Sequence, residues 1–232
     1  MLSSTMTMSG FTNSPQAVAS GAGESRNALG GEMRSSIIAT WFVLMLAGSQ
    51  TAAACTDEAY ERHLSALRAL VPAVTTAEPE RSALARFFEA LPPDFACFNR
   101  LFGYGDGPAP LYSEPQLYPL FPKIASAVAQ ADYARKLVGL SVNAKWEADQ
   151  TGALQHATRS VLDAETELFV KLLADVGTDS ERSVWAFLFG EPHPSKVPLS
   201  ATVQSMVCEA SSRSCQLSKE VYVRAVSEEH TH

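Results

Sequence analysis

The sequence predicts a mainly α-helical protein, built as an antiparallel array of helices on short connections. Three observations indicate this fold class. Apolar residues recur at the 3.6-residue period of amphipathic helices in most segments after residue 55. Proline, glycine and capping residues separate these segments from one another. No alternation of strand and helix patterns is present, which argues against a parallel α/β sheet.

The chain begins with a segment that has no core-forming pattern. Residues 1–32 are rich in Ser, Thr, Gly, Ala and Met and lack a hydrophobic period. Such a composition does not bury enough apolar surface to offset the entropy of ordering. We therefore expect residues 1–32 to be a disordered or spurious extension, with Met33 as the biological start.

Residues 33–54 read as a secretory signal peptide. Arg34 supplies the positive start, residues 37–47 an uncharged apolar run, and Ala52, Ala53 and Ala54 the small residues before cleavage. The apolar run is about half of the roughly 20 residues that span a bilayer, so we expect no membrane span in the mature chain. The alternative is a cytoplasmic tail before a short buried helix. Export predicts a periplasmic or secreted protein with one helical domain over residues 55–232.

All four cysteines follow the predicted cleavage point, and an even number in an exported chain indicates disulfides. The stretch CEASSRSC is short and polar, so its flanking elements can return close together. We therefore expect Cys208 to pair with Cys215, which leaves Cys55 to pair with Cys97 by elimination. The alternative is a lipoprotein anchored through Cys55, although Ala52 stands where that signal usually has Leu. No C-x-x-C spacing suggests zinc.

The charge of the chain limits its partners. The formal net charge is -7, and the mature part keeps it because the first 54 residues carry two basic and two acidic side chains. An acidic chain without a Lys/Arg cluster argues against nucleic acid and against anionic membrane surfaces. It is compatible with a basic protein partner.

Three helices are expected first. The segment DEAYERHLSALRALV places four apolar residues on one stripe, namely Tyr60, Leu64, Leu67 and Val71. PERSALARFFEALPPD repeats the period, with Pro79 in its first turn and two prolines at its end. Asp94 is a suitable N-cap for DFACFNRLFG, and Gly103 stands just past its end.

The middle of the chain contains more interruptions. We expect Ser113 to cap EPQLYPLF and Pro122 to open PKIASAVAQ, giving two short pieces with a bend, because two prolines do not fit one straight helix. DYARKLVGLSV and AKWEADQTGALQHATRSVL follow as helices, with a break near residues 141–143.

The last third ends with an ambiguous segment. Gly177 ends AETELFVKLLADVG, and Thr178 with Glu181 fits a capping box for DSERSVWAFLFG. Residues 191–199 are proline-rich and are expected to cross the surface. Ser200 is a suitable cap for SATVQSMVCEASS. SKEVYVRAVSEE suits a helix or a strand, so the C-terminus is expected to be a helical hairpin or a small β-hairpin.

The stretch FGYGDGPAP resembles a ligand loop at first sight. A nucleotide cradle needs glycines that lead into a helix N-terminus, whereas these glycines follow a helix and precede prolines. A calcium loop needs several oxygen ligands, and Asp106 has no acidic neighbour. The stretch is therefore expected to turn the chain and to present Tyr104, Asp106 and Tyr112 as contacts for a partner.

A second candidate site lies in KWEADQTGALQH. Asp149 and His156 fall on one helical stripe two turns apart, about 10 Å along the axis, and Glu147 points elsewhere. Groups at that spacing can flank a substrate. The interpretation we favour is structural, with Trp146 as a core anchor and Gly152 allowing close helix packing.

Other catalytic signals are missing. G-x-S-x-G and H-E-x-x-H do not occur, and we predict no cofactor and no metal. The run from FFEALPPDFACFNRLFGYGDG through LSVNAKWEADQTGALQH to SVWAFLFGEPHP, about residues 87–194, resembles a group of exported helical bacterial proteins without an assigned activity. The resemblance implies a helical fold and no catalytic residue.

The sequence therefore predicts an exported helical protein that is not an enzyme and binds another protein in the bacterial envelope. One specific form is an immunity protein that neutralises a toxin delivered to the periplasm. The alternative is an envelope hydrolase that uses Glu147, Asp149 or His156.

Overall fold

The computed structural model describes residues 55–104, 107–146, 149–190 and 198–229. The regular structure in these ranges is helical throughout, which confirms the predicted fold class. A 3-10 turn, Pro115–Leu117, lies between the third and fourth helices. The ten α-helices are α1 Asp57–Val74, α2 Arg81–Ala90, α3 Phe95–Phe102, α4 Leu120–Ala125, α5 Gln130–Ser141, α6 Asp149–Ala164, α7 Thr166–Val176, α8 Thr178–Phe189, α9 Ala201–Ala210 and α10 Ser212–Glu229.

The first three helices begin close to where their patterns predict. Thr56 caps α1, and the Asp94 carboxylate accepts a 2.9 Å hydrogen bond from the backbone N–H of Cys97 at the start of α3, as predicted. Pro79 was expected in the first turn of α2, and this prediction is wrong. Glu80 is the N-cap, in an extended conformation, and its carbonyl accepts the first bonds of the helix, so Pro79 precedes α2.

The middle segment contains two short pieces, as predicted, but their starts differ. No side chain caps the 3-10 turn, which follows Glu114, so the predicted Ser113 cap is wrong. α4 begins at Leu120, two residues before Pro122. A proline is accommodated at that position because the N–H groups of a first helical turn have no partner within the helix.

A break separates α5 from α6 at the predicted place. Asn143 has a φ of 57°, a left-handed conformation that ends helical geometry. The two helices pack against each other beyond the break, and a buried hydroxyl pair joins them, with 3.0 Å between the Ser141 and Thr158 oxygens. The two helices therefore stay packed together across the break.

Gly177 ends α7 as predicted, with a φ of 83° that favours glycine. The predicted capping box is wrong. Gly177 is itself the N-cap of α8, so Thr178 already lies inside the helix, where its hydroxyl does not cap. The Glu181 side chain turns into the protein and bonds to residues of α8 and α10.

The C-terminal part is a helical hairpin of α9 and α10. The Ser200 hydroxyl caps α9, accepting a 3.2 Å hydrogen bond from the Val203 N–H, as predicted. The strand alternative for SKEVYVRAVSEE is wrong, because this segment lies in α10. α10 buries Leu217 and Val221, one helical turn apart. α10 packs along α8.

Both predicted disulfides are present. Cys55 pairs with Cys97 at a Cα separation of 4.9 Å, and Cys208 pairs with Cys215 at 4.4 Å. No helix in the described ranges is long and apolar enough to cross a membrane. The core between the helices is rich in aromatic side chains, and its largest fully buried members are Trp185, Phe98, Phe169 and Phe189.

Candidate binding cleft

A cleft of about 1110 Å³ lies between α4, the start of α5 and one face of α6. Pockets for small ligands are commonly about 300–1000 Å³, so this space also suits a larger occupant. α6 supplies one wall through the face that carries Gly152, Ala153, His156, Ala157, Ser160, Val161 and Ala164.

The α6 wall is built from small side chains. Gly152, His156, Ser160 and Ala164 recur every fourth residue, which places them in one row along the helix. Twelve residues of α-helix extend about 18 Å. Three members of this row are small, so the helix backbone lies near the cleft along most of that length.

The opposite wall carries large rings. Tyr118, Phe121 and Tyr133 line it together with Pro119 and Pro122. The Tyr133 hydroxyl donates a 3.0 Å hydrogen bond to the Phe121 carbonyl, and burial raises the pKa of this hydroxyl well above its ordinary value of 10.0. The ring therefore holds α5 against the start of α4 and stays neutral at physiological pH.

Trp146 closes one side of the cleft, where it packs on α6. A β-carbon placed on Gly152 would stand 3.3 Å from Trp146 Nε1, so the absence of a side chain at Gly152 makes room for the indole. This contact agrees with the close packing expected of Gly152. Trp146 was expected to anchor the core, and instead it is half-buried and lines the cleft.

The described lining of the cleft carries no Asp, Glu, Lys or Arg side chain. His156 and Ser160 are its exposed polar residues on α6. The Ser160 hydroxyl donates a 2.9 Å hydrogen bond to the His156 carbonyl, so it is already engaged with the helix backbone. An occupant would therefore meet a mainly apolar surface, whose exposed polar residues in the described lining are Gln130, His156 and Ser160.

Of the three residues proposed for hydrolysis, His156 alone is described with its side chain. His156 lines the cleft, whereas Glu147 lies outside the described residues. Asp149 is the first residue of α6, and its side chain is also outside the description. Within the described ranges, no group of three or more His, Cys, Asp and Glu side chains is arranged to hold a metal ion.

Two of the three residues expected to contact a partner form a pair beside the cleft. Tyr104 is 50% exposed, and its ring centroid lies 5.0 Å from that of Tyr112. The hydroxyl of Tyr118, which lines the cleft, donates a 3.2 Å hydrogen bond to the Tyr112 carbonyl. The tyrosine pair is thus continuous with the cleft wall. Asp106 lies outside the described residues.

Sequence reasoning singled out Trp146, Gly152 and His156, although it gave Trp146 a place in the core, and it missed the rest of the cleft. The available signal was the row of small residues at four-residue spacing on α6, Gly152, Ser160 and Ala164. The opposite wall gave no comparable signal, because Tyr118, Phe121 and the prolines read as ordinary elements of a bent connection.

No protein family, curated protein or solved structure matches this chain. The resemblance over about residues 87–194 therefore stays a prediction. The cleft and the tyrosine pair beside it are the features from which a function can be inferred.

Proposed function

We propose that this chain is an exported binding protein of the bacterial envelope, without enzymatic activity, and that its cleft holds a helical segment of a partner protein. The observation that carries the proposal is a mainly apolar cleft that follows α6 for about 18 Å and is bordered by helices on both sides. The signal pattern of residues 33–54 and the two disulfides support export.

A helix is the occupant that suits this shape. Helices pack with their axes 8–10 Å apart, and small side chains at the contact favour the shorter distance. The row from Gly152 to Ala164 offers such a contact over three helical turns. Because the described lining is uncharged, we expect the docked face of the partner to consist of apolar and small polar side chains.

The tyrosine pair extends the same surface. Tyrosine is enriched at protein interfaces because its ring buries a large area while its hydroxyl still bonds to water or to a partner. Tyr104 and Tyr112 meet beside Tyr118, which lines the cleft. A partner helix that extends past Tyr118 would meet both rings.

The hydrolase alternative has less support. General acid–base catalysis needs groups positioned within hydrogen-bond reach of the reacting atoms, commonly with a second group that orients the first. His156 is exposed, and no carboxylate is among the described residues that line the cleft with it.

A charge placed in the cleft tests the proposal. We expect the mature protein, immobilised and exposed to envelope extract of the bacterium that encodes it, to retain one stoichiometric partner. Ser160→Glu should abolish retention, because burying a carboxylate against an apolar partner is costly. Ser65→Glu is the matched control, since Ser65 is exposed on α1 and outside the cleft.

Two results would contradict the proposal. One is retention of the same partner by Ser160→Glu at the level of the unmodified protein. The other is equal loss of retention in both glutamate variants, which would indicate a general effect of charge. Far-ultraviolet circular dichroism of all three proteins establishes that the helical fold is intact before the comparison is made.

A further inference from the structure

A buried carboxylate joins α8 to the C-terminal hairpin. Glu181 has a relative exposure of 0%, although carboxylates are rarely buried without a partner. Its Oε2 atom accepts a 2.7 Å hydrogen bond from Arg213 Nε. Its Oε1 atom accepts a bond from the Ser214 hydroxyl and a 3.4 Å bond from the Trp185 indole N–H. Two of these three donors belong to α10.

The Cys208–Cys215 disulfide encloses both α10 donors. Its cysteines are seven positions apart, and Arg213 and Ser214 lie in the short loop that the bond closes. The loop also contains the turn from α9 to α10, where the Ser211 hydroxyl accepts a hydrogen bond from the Ser214 N–H. The covalent bond therefore restrains the backbone that aims both donors at Glu181.

The two disulfides differ in how easily a thiol reaches them. Cys208 and Cys215 are both half-buried; in the other bridge Cys55 is half-buried as well, and Cys97 is 2% exposed. Thiol–disulfide exchange begins with attack of a thiolate on a sulfur atom, so access affects its rate. The C-terminal bridge therefore offers a dithiol two half-buried cysteines to attack, whereas the N-terminal bridge offers one.

We propose that the Cys208–Cys215 disulfide is a redox-sensitive lock that holds α10 on α8 through the buried Glu181 carboxylate. A dithiol, either a small molecule or a protein, opens it. The S–S bond breaks and two Cys S–H groups form, while the dithiol supplies two electrons and two protons and becomes a disulfide. The C-terminal hairpin then loosens while the helices before α6 keep their packing.

The consequence of opening follows from the burial of Glu181. When Arg213 and Ser214 are no longer held in register, the carboxylate loses partners inside the protein and gains by reaching water. α10 covers the aromatic end of α8, where the Tyr222 and Phe189 ring centroids are 5.3 Å apart. The one ion pair described on the outside of this contact, Arg182 with Glu220, is solvent-exposed and holds the helices weakly.

Hydrogen exchange measured by mass spectrometry tests the lock. In Cys208→Ser/Cys215→Ser we expect the amides of α8 and α10 to exchange at least tenfold faster than in the oxidised protein, with α1 to α5 unchanged. Unchanged exchange in α8 and α10 would overturn the proposal. Equal acceleration throughout the chain would also overturn it, because the disulfide would then stabilise the whole fold rather than the contact between α8 and α10.

Two further measurements separate the lock from a simple cross-link. In Glu181→Met no buried charge depends on Arg213 and Ser214. Adding Cys208→Ser/Cys215→Ser to this variant should therefore accelerate exchange in α8 and α10 less than threefold. A tenfold acceleration would refute the role of Glu181. In the unmodified protein, graded dithiothreitol followed by alkylation and peptide mapping should label Cys208 and Cys215 before Cys55 and Cys97. Labelling in the reverse order would refute the difference in access.

Discussion

Replacement of Tyr133 by phenylalanine should destabilise the protein at neutral pH and stabilise it at about pH 11. The Tyr133 hydroxyl is buried and donates a 3.0 Å hydrogen bond to the Phe121 carbonyl. At pH 7, Tyr133→Phe removes this bond, and we expect the free energy of unfolding to fall by about 1 kcal/mol. The ring itself keeps its packing because phenylalanine has the same shape.

Above pH 10 the effect of the Tyr133 hydroxyl on stability has the opposite sign. Burial raises the pKa of Tyr133 in the folded protein above the 10.0 of the unfolded chain. Above pH 10 the unfolded chain loses a proton that the folded protein retains, so stability present below pH 10 is lost as the pH rises. The loss approaches about 1.4 kcal/mol for each pH unit.

The two effects cancel between pH 10 and 11. At about pH 11 the deprotonation of the unfolded chain has cost the unmodified protein about 1.4 kcal/mol, which exceeds the roughly 1 kcal/mol of the hydrogen bond. Tyr133→Phe should therefore be the less stable protein at pH 7 and the more stable one at pH 11. Burial lowers the pKa of Lys136, but that change is common to both proteins and cancels in the comparison.

Urea unfolding followed by circular dichroism from pH 7 to 11 measures the crossing. Tyr104→Phe is the matched control, because it removes a tyrosine hydroxyl from a side chain that is 50% exposed. A Tyr133→Phe deficit that stays the same up to pH 11 would refute the reasoning, since Tyr133 would then ionise equally in both states.

Three other predictions concern stability in urea. Gly177→Ala should cost about 1 kcal/mol because the φ of 83° disfavours a β-carbon, and a neutral result would contradict that conformation. Lys136→Met should lower the free energy of unfolding by about 2 kcal/mol, because Lys136 Nζ donates hydrogen bonds to three carbonyls at the end of α2. Thermal melts should also show the variant to be less stable than the unmodified protein. Cys55→Ala/Cys97→Ala should lower the free energy of unfolding by about 4 kcal/mol, because the unfolded chain gains the entropy that the closed loop removed. The more expanded unfolded state should also raise the m-value, and a smaller m-value would contradict this explanation.

Local signals in the sequence predicted most of the fold. Asp94 and Ser200 cap their helices as expected, because an N-cap bond spans only three residues and depends on little else. The break near Asn143 and the end of α7 at Gly177 are equally local, since each follows from one residue's conformational preference. Such local features depend little on the tertiary packing of the rest of the chain.

The wrong predictions involve partners distant in the chain. Thr178 and Glu181 match a capping box by spacing, yet Glu181 meets Arg213, 32 residues further on, and the buried ion pair takes its side chain away from the helix end. The pattern of α8 alone contains no sign of that partner. A local motif is a weak guide where a distant charge competes for the same side chain.

The candidate site was predictable only in part for the same reason. His156 and Gly152 stood out because they share one helical stripe, but the cleft also needs α4 and α5 opposite that stripe. Tyr118 and Phe121 line it because of the bend between the 3-10 turn and α4. Which elements face each other across a cleft is a property of the packed array.

The position of Trp146 gives the protein its own optical reporter. The whole chain has three tryptophans, and one of them, Trp41, precedes the expected cleavage point. In the mature protein the other two occupy contrasting places, since Trp146 lines the cleft while Trp185 is fully buried in the core. A shift in fluorescence emission on adding an occupant would therefore originate from the cleft. Entry of a partner is measurable on the unlabelled protein.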